Sequence, residues 1–223
     1  MQLPPVITID GPSGSGKSTL SKSLANYLKW YTLESGMIYR IFACLLLKKK
    51  FFFEKKKIIH VLKDLEKYFI YENGMICNII NKNFSYRYIV SKEVTHLSSK
   101  IAKNAYIREK LLLKQRLFRR YPGLVADGRD MGTMVFPDAK IKFFLKADLK
   151  NRVYRRMQEF QNQGIKSDFK TTLLHMKKRD ERDKNRKNSP LVPANNAIIL
   201  DSSNMNITEV IQYTINCINK ILI

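Results

Sequence analysis

Apolar residues run along this chain in short clusters separated by longer stretches of helical spacing. Val6-Ile7-Thr8-Ile9-Asp10 has the length and β-branched content of a buried strand, and the pattern from Thr19 to Lys29 is helical. Tyr31-Thr32-Leu33-Glu34 predicts a second strand and Gly123-Leu124-Val125-Ala126-Asp127 a third. Ile141-Lys142-Phe143-Phe144-Leu145 and Ala197-Ile198-Ile199-Leu200-Asp201 complete five. Short apolar strands alternating with helical segments predict an α/β fold, a five-stranded parallel sheet covered on both faces. In such sheets ligands bind beyond the carboxyl ends of the strands.

Two segments break the alternation. Between about residues 47 and 99 a lysine-rich helical stretch leads into a hairpin, with Tyr68-Phe69-Ile70-Tyr71 and Met75 to Ile80 flanking a turn at Glu72-Asn73-Gly74. A further short strand is expected near Phe84 to Val90, so this segment reads as an inserted α+β subdomain. Residues 150–188 are highly charged and helical in pattern, with Gly164 their only glycine, and predict a mobile lid over the sheet's edge. The expected division is a core of residues 1–46, 100–149 and 189–223, an insert of residues 47–99 and a lid of residues 150–188.

Composition narrows the class. With 223 residues, 44% of them hydrophobic, the chain can bury a sizeable core. It has no apolar stretch near twenty residues and no basic-then-apolar leader ahead of the first strand, so a cytoplasmic protein without a membrane partner is expected. Cys44, Cys77 and Cys217 are far apart and lack CxxC spacing, which indicates neither a disulfide framework nor a zinc site. A net charge of +22 is the footprint of many nucleic-acid binders. Here the excess lies in runs such as Lys48-Lys49-Lys50 and Lys55-Lys56-Lys57, without interleaved aromatic recognition elements, and reads as solvated surface. No specific nucleic-acid partner is expected.

The chemistry is carried by Gly11-Pro12-Ser13-Gly14-Ser15-Gly16-Lys17-Ser18, a complete phosphate-binding loop between the first strand and the first helix. Its glycines let backbone N–H groups point inward around a polyphosphate, and the helix adds its positive end. Lys17 reaches the β- and γ-phosphates in such loops, and the Ser18 hydroxyl takes a place on Mg²⁺. Asp127, closing an apolar strand, suits the carboxylate that holds a Mg²⁺-bound water, so Ser18 and Asp127 are the candidate metal residues. Arginines gather at the same edge: Arg40, Arg108, Arg116, Arg129, Arg152, Arg155, Arg156, Arg179, Arg182 and Arg186. Arg179, Asp183 and Arg186 stand at i, i+4 and i+7, a spacing that puts all three on one helical face.

So many guanidinium groups suit phosphoryl transfer between two nucleotides. Two phosphate termini of charge near −2, about 4 Å apart, repel by roughly 16 kcal/mol at an effective dielectric of about 20. Mg²⁺, Lys17 and planar guanidinium forks can cancel that repulsion. An acceptor phosphate with a second pKa of about 6 is already nucleophilic at neutral pH, so no general base is needed.

Taken together, the phosphate loop, Ser35-Gly36-Met37-Ile38-Tyr39-Arg40, Asp127-Gly128-Arg129-Asp130-Met131-Gly132-Thr133, Arg179-Asp180-Glu181-Arg182-Asp183-Lys184-Asn185-Arg186 and Leu191-Val192-Pro193 resemble the bacterial cytidylate kinases over essentially the whole chain. The resemblance implies transfer of the γ-phosphoryl of ATP to CMP or dCMP, with Mg²⁺; a monomer is expected. It assigns Lys17, Arg129, Arg186 and Asp127 to catalysis, and Gly11, Pro12, Ser13, Gly14, Ser15, Gly16, Lys17, Ser18 and Thr19 with Arg152, Arg155 and Arg156 to ATP. It further implies that Arg40, Arg129 and Arg186 hold the CMP phosphate beside Ser35 and Tyr39. Ser99, Arg108 and Asp130 would read cytosine, whose N4 amine is a donor that suits a carboxylate, and Arg179 with Asp183 would contact the ribose. Two positions depart from the pattern: Ile89-Val90-Ser91 stands where the family usually has Ile-Arg-Thr, and Glu34 where an aspartate is common. The competing readings are a UMP-type kinase on the same fold and a P-loop NTPase that binds RNA. The latter needs a water-orienting residue and a nucleic-acid surface, and neither is evident in the sequence.

Overall fold

The computed structural model describes residues 3–50, 55–65, 68–72, 75–78 and 84–222. The chain divides into two compact units, Met1–Thr32 with Arg119–Ile223, and Leu33–Phe118. Strand β1 (Val6–Asp10) is followed by helix α1 (Lys17–Leu28) and β2 (Tyr31–Glu34); β5 (Leu124–Gly128), β6 (Ile141–Lys146) and β7 (Ile198–Asp201) join them in a five-stranded sheet of order β2-β5-β1-β6-β7. β1 pairs in parallel with β5 on one side and β6 on the other, and β6 pairs in parallel with β7. The fold expected from the pattern is therefore present. All five residues of β1 are buried, as are all five of β5, because helices cover both faces of the centre of such a sheet. Ile7, Ile9, Val125, Ile141, Phe143 and Leu145 form its core with Leu20 and Leu24 of α1 and Val210 and Ile218 of the C-terminal helix (Ile207–Leu222).

In the second unit α2 (Ser35–Lys48) is buried along most of its length, from Met37 to Leu46, and packs against α3 (Lys55–Leu65). β3 (Phe69–Glu72) and β4 (Met75–Asn78) form the expected antiparallel hairpin, with Phe69 opposite Asn78. Its turn residues Asn73 and Gly74, and the expected extension to Ile80, lie outside the described residues.

The strand expected near Phe84 to Val90 is instead a helical turn, α4 (Tyr86–Ile89). The Ser85 hydroxyl accepts from the Tyr88 N–H at 3.2 Å and starts that turn. Ser91 then caps α5 (Lys92–Ile101) by accepting from the Val94 N–H. Aromatic and β-branched residues favour a strand only in the context of a sheet, and here two serine caps decide the backbone. Ser91, one of the positions that departs from the family pattern, thus keeps a capping hydroxyl. Asn104 caps α6 (Ala105–Arg116) in the same way, by accepting from the Ile107 N–H.

The charged stretch of residues 150–188 forms α7 (Leu149–Asn162) and α8 (Phe169–Lys184), which pack on each other with Val153, Thr172 and Met176 buried. Both belong to the first unit. Helix α8 ends at Lys184, ahead of Pro190, so Arg186 lies beyond it rather than on one helical face with Arg179 and Asp183. The i, i+4, i+7 spacing assumed a helix one turn longer than the chain makes.

Candidate active site

The phosphate loop leaves the carboxyl end of β1, at the centre of the sheet. Gly11 has φ +150°, and a Cβ there would come within 2.3 Å of the Leu145 carbonyl oxygen, so only glycine fits where the loop crosses β6. Lys17 is the first residue of α1 and is buried. Its ammonium donates to the Pro12 carbonyl at 2.7 Å and to the Ser15 hydroxyl at 3.4 Å. Burial pulls the Lys17 pKa down to about 7; the Arg129 and Arg179 guanidiniums push the same way, against the attraction of Asp127 and Asp10.

Ser18 donates to Asp127 Oδ2 at 3.1 Å, and Ser21, one helical turn on, donates to Asp127 Oδ1 at 3.2 Å. Asp127 is buried on β5 directly across from Ile9. A hydroxyl and a carboxylate oxygen at this separation are hard donors of the kind Mg²⁺ takes while keeping several of its waters, so the pair fits that ion.

Beside the loop stands a cluster of opposite charges. Arg129 Nε pairs with Asp183 Oδ2 at 2.9 Å, and Arg179 Nε lies 4.0 Å from the same oxygen. A second nitrogen of Arg179 reaches the Ser13 hydroxyl at 3.4 Å, which joins α8 to the phosphate loop. Burial works to raise the Asp183 pKa, but Arg129, Arg179 and Arg186 outweigh it and hold the carboxyl below the usual range. Asp130 is buried at the start of a short π-helix (Met131–Val135).

The arginines of α7 are engaged differently from one another. Arg152 is buried; it donates to Ala147 O at 2.9 Å and to Ser13 O at 3.1 Å, and pairs with Asp180 at 2.7 Å. Arg155 donates to the carbonyl and hydroxyl oxygens of Ser202, at 2.7 and 3.1 Å. Arg156 pairs with Glu159 and sits 4.4 Å from the Phe160 ring centroid. Thr19 is exposed on α1.

In the second unit Arg40 is buried and donates to Ile89 O at 2.9 Å and to the Thr95 hydroxyl at 2.8 Å. Ser99 donates to Thr95 O, so Thr95 links Arg40 to Ser99. Arg108 donates to Ala102 O and lies over the Tyr39 ring at 5.9 Å. Ser35 is buried at the first position of α2.

The first unit therefore brings together Lys17, Ser18, Asp127, Arg129, Arg152, Arg179 and Asp183, and the second pairs Tyr39 with Arg108 and Arg40 with Ser99 through Thr95. Sequence reasoning missed three participants. Ser21 could have been found, because it lies three residues after Ser18 on the same helical face. Asp180 sits inside the arginine-rich run, where nothing singled it out. Asp10, whose carboxylate accepts from the backbone N–H groups of Met131 at 2.9 Å and Gly132 at 2.8 Å, had no signal beyond its place at a strand end. Burial pushes the Asp10 pKa up to about 6 against those two bonds, which leaves it ionised at neutral pH.

The chain matches the family described as cytidylate kinase over residues 7–220. It is 46% identical over 224 residues to a cytidylate kinase of Buchnera aphidicola subsp. Baizongia pistaciae, covering 98% of this chain and 95% of that one. Against the cytidylate kinase of Klebsiella pneumoniae it is 44% identical over 209 residues, covering 93% and 92%. Among solved structures, an uncharacterized protein from Eubacterium ventriosum aligns with a TM-score of 0.52 at 16% identity, over 97% of this chain and 98% of the other. Protein TT1252 of Thermus thermophilus aligns with a TM-score of 0.51, also at 16% identity, over 98% of each chain. These two likenesses bear on the fold alone. With the profile and the curated relatives both spanning nearly its full length, the chain belongs to the cytidylate kinase family.

Proposed function

We propose that this protein transfers the γ-phosphoryl group of ATP to CMP or dCMP, giving ADP and CDP or dCDP. One observation carries the reading beyond family membership: Arg129 and Arg179 stand close enough to Lys17 to disfavour its charge in the free protein. Guanidiniums beyond those the donor needs suit a site that also holds a second phosphate, whose negative charge offsets their repulsion with Lys17.

In this reading Lys17 and the loop N–H groups hold the donor's phosphates. Ser18 and Asp127 would hold Mg²⁺, which would supply positive charge against the charge developing on the transferred group. An acceptor phosphate oxygen forms a bond to the γ-phosphorus as the bond to the β–γ bridging oxygen breaks, and ADP leaves; no protein base takes part. The family roles carry over residue by residue. In the first unit Arg129 and Arg186 take the acceptor phosphate, Asp130 the base, and Arg179 with Asp183 the ribose. In the second, Arg40 with Ser35 and Tyr39 serves the acceptor phosphate, and Ser99 with Arg108 serves the base. The segment of residues 47–99 is the acceptor-binding insert and that of residues 150–188 the lid, whose Arg152, Arg155 and Arg156 serve ATP. For Arg152 a donor contact requires exchanging one of its bonds to Ala147, Ser13 or Asp180. The small-molecule substrates are the expected partners, in the cytoplasm; among the described residues no helix is long and apolar enough to cross a membrane.

Coupled ADP release with a panel of nucleoside monophosphates tests the proposal. UMP lacks the N4 donor and sets an oxygen against Asp130, so CMP will be preferred by at least ~10-fold in kcat/KM, the scale of one buried polar group left unpaired. Asp130→Asn will narrow the gap mainly through lost CMP activity, with the KM for ATP little altered. An unchanged CMP-to-UMP ratio in Asp130→Asn removes Asp130 as the base reader, and hydrolysis that needs no acceptor removes the kinase reading.

A further inference from the structure

Asp10 ends β1 and directly precedes Gly11, the first residue of the phosphate loop. Its backbone lies in register with Gly128, the last residue of β5. Its side chain reaches three residues further along that strand's exit: Oδ1 accepts from the Met131 N–H at 2.9 Å and Oδ2 from the Gly132 N–H at 2.8 Å. Between those two anchor points lie only Arg129 and Asp130. One residue thus lies beside the start of the two-residue segment that the proposed function assigns to the acceptor nucleotide and holds the backbone that follows it.

The hold is tight on its other side as well. Met131 and Gly132 open the π-helix, whose first N–H groups have no partner within it and take Asp10 instead. The Val135 N–H bonds to Asp130 O at 3.2 Å and the Phe136 N–H to Met131 O at 2.7 Å, the i to i+5 pattern of a π-turn, a form that is rare and concentrated at functional sites. A Cβ on Gly132 would stand 2.9 Å from the Thr8 hydroxyl oxygen and 3.2 Å from Lys142 Cδ, so a side chain there would crowd residues of β1 and β6. Asp10 is 4% exposed and Asp130 5%.

We infer that Asp10 is a positioning residue for acceptor recognition: its carboxylate clamps Met131 and Gly132, and so fixes where Arg129 and Asp130 stand relative to the phosphate loop that Asp10 itself begins. The inference rests on reading Arg129 and Asp130 as acceptor contacts. Two oxygens on one ionised side chain are required, because an amide of the same shape accepts through one oxygen and turns a donor toward the other N–H. A residue that only caps the π-helix would affect stability and nothing more.

The test is steady-state kinetics of Asp10→Asn and Gly132→Ala with ATP against CMP and against UMP, together with melting temperatures. Asp10→Asn will lower kcat/KM for CMP by ~10-fold or more and the CMP-to-UMP ratio by at least ~3-fold, while the KM for ATP stays within about twofold, the split expected when one charged hydrogen bond is lost on the acceptor side alone. Gly132→Ala keeps the carboxylate and crowds the same backbone against Thr8 and Lys142; it will move the ratio in the same direction, and an unchanged ratio there overturns the inference if Asp10→Asn does not fold. The unsubstituted protein's own preference for CMP reports on the assignment of Asp130, whereas the change in ratio between it and the variants reports on Asp10. Variants that melt earlier yet keep the ratio, and lose activity equally with both acceptors, make Asp10 a purely structural cap and overturn the inference.

Discussion

Lys17→Ala will lower turnover at least ~100-fold, the scale of removing one electrostatic contact made in the transition state, while the melting temperature stays level or rises. The two outcomes have one cause. Lys17 is buried, and burial together with Arg129 and Arg179 makes its charge unfavourable in the free protein, enough to bring its pKa down to about 7. Between that value and the ordinary lysine range the folded state binds fewer protons than the unfolded chain, so stability rises with pH there. Below it, the folded protein carries a charge it would rather lose, and alanine relieves that cost. The strain is repaid only when a polyphosphate restores a counter-charge. Turnover within a few-fold of the parent, measured with CMP and ATP saturating, would remove Lys17 from the chemistry. A large fall in both activity and melting temperature would point to misfolding instead.

Arg129→Met will lower kcat/KM for CMP by about 10²–10³, the cost of one lost donor to developing phosphate charge. Its effect on stability has a definite pH signature. Among the neighbours that hold Asp183 ionised against its burial, Arg129 is the largest, ahead of Arg179 and Arg186. A carboxyl with a depressed pKa contributes stability that is full above its unfolded value of about 3.9 and lost as pH falls through the folded value. Taking away Arg129 shrinks that contribution. The variant will therefore melt earlier than the parent at neutral pH, and the gap will close on acidification below about pH 4. A gap that does not change with pH means that the Arg129–Asp183 pair is not what Arg129 contributes to stability.

Both variants act on the first unit, and the phosphate loop that carries the first was plain in the sequence. Loop, flanking strand and helix are contiguous, so backbone geometry alone dictates their arrangement, and eight successive residues declare the anion site. The five apolar runs likewise declared the sheet, because central parallel strands are buried on both faces and cannot alternate. The segment from Phe84 to Val90 went the other way. Its composition favoured a strand, yet Ser85 and Ser91 supply local acceptors that stabilise helical turns, a contribution of one hydroxyl that a reading of periodicity overlooks.

What the sequence by itself determined is the chemistry of each residue and the local backbone it prefers: a loop that binds phosphate, strands that end in Asp10 and Asp127, and arginines in excess of what one nucleotide needs. Only the tertiary structure decided which groups meet. The bond from Ser18 to Asp127 joins positions 109 residues apart, and those from Asp10 to Met131 and Gly132 span 121 and 122 residues. No spacing along the chain encodes such distances, because they follow from which strand lies beside which, and strand order is settled by burying the shared core. The same packing decided the fate of the α7 arginines. Sequence grouped Arg152, Arg155 and Arg156 as equals, whereas burial at Arg152 requires all its nitrogens to find acceptors, and it finds them in Ser13, Ala147 and Asp180.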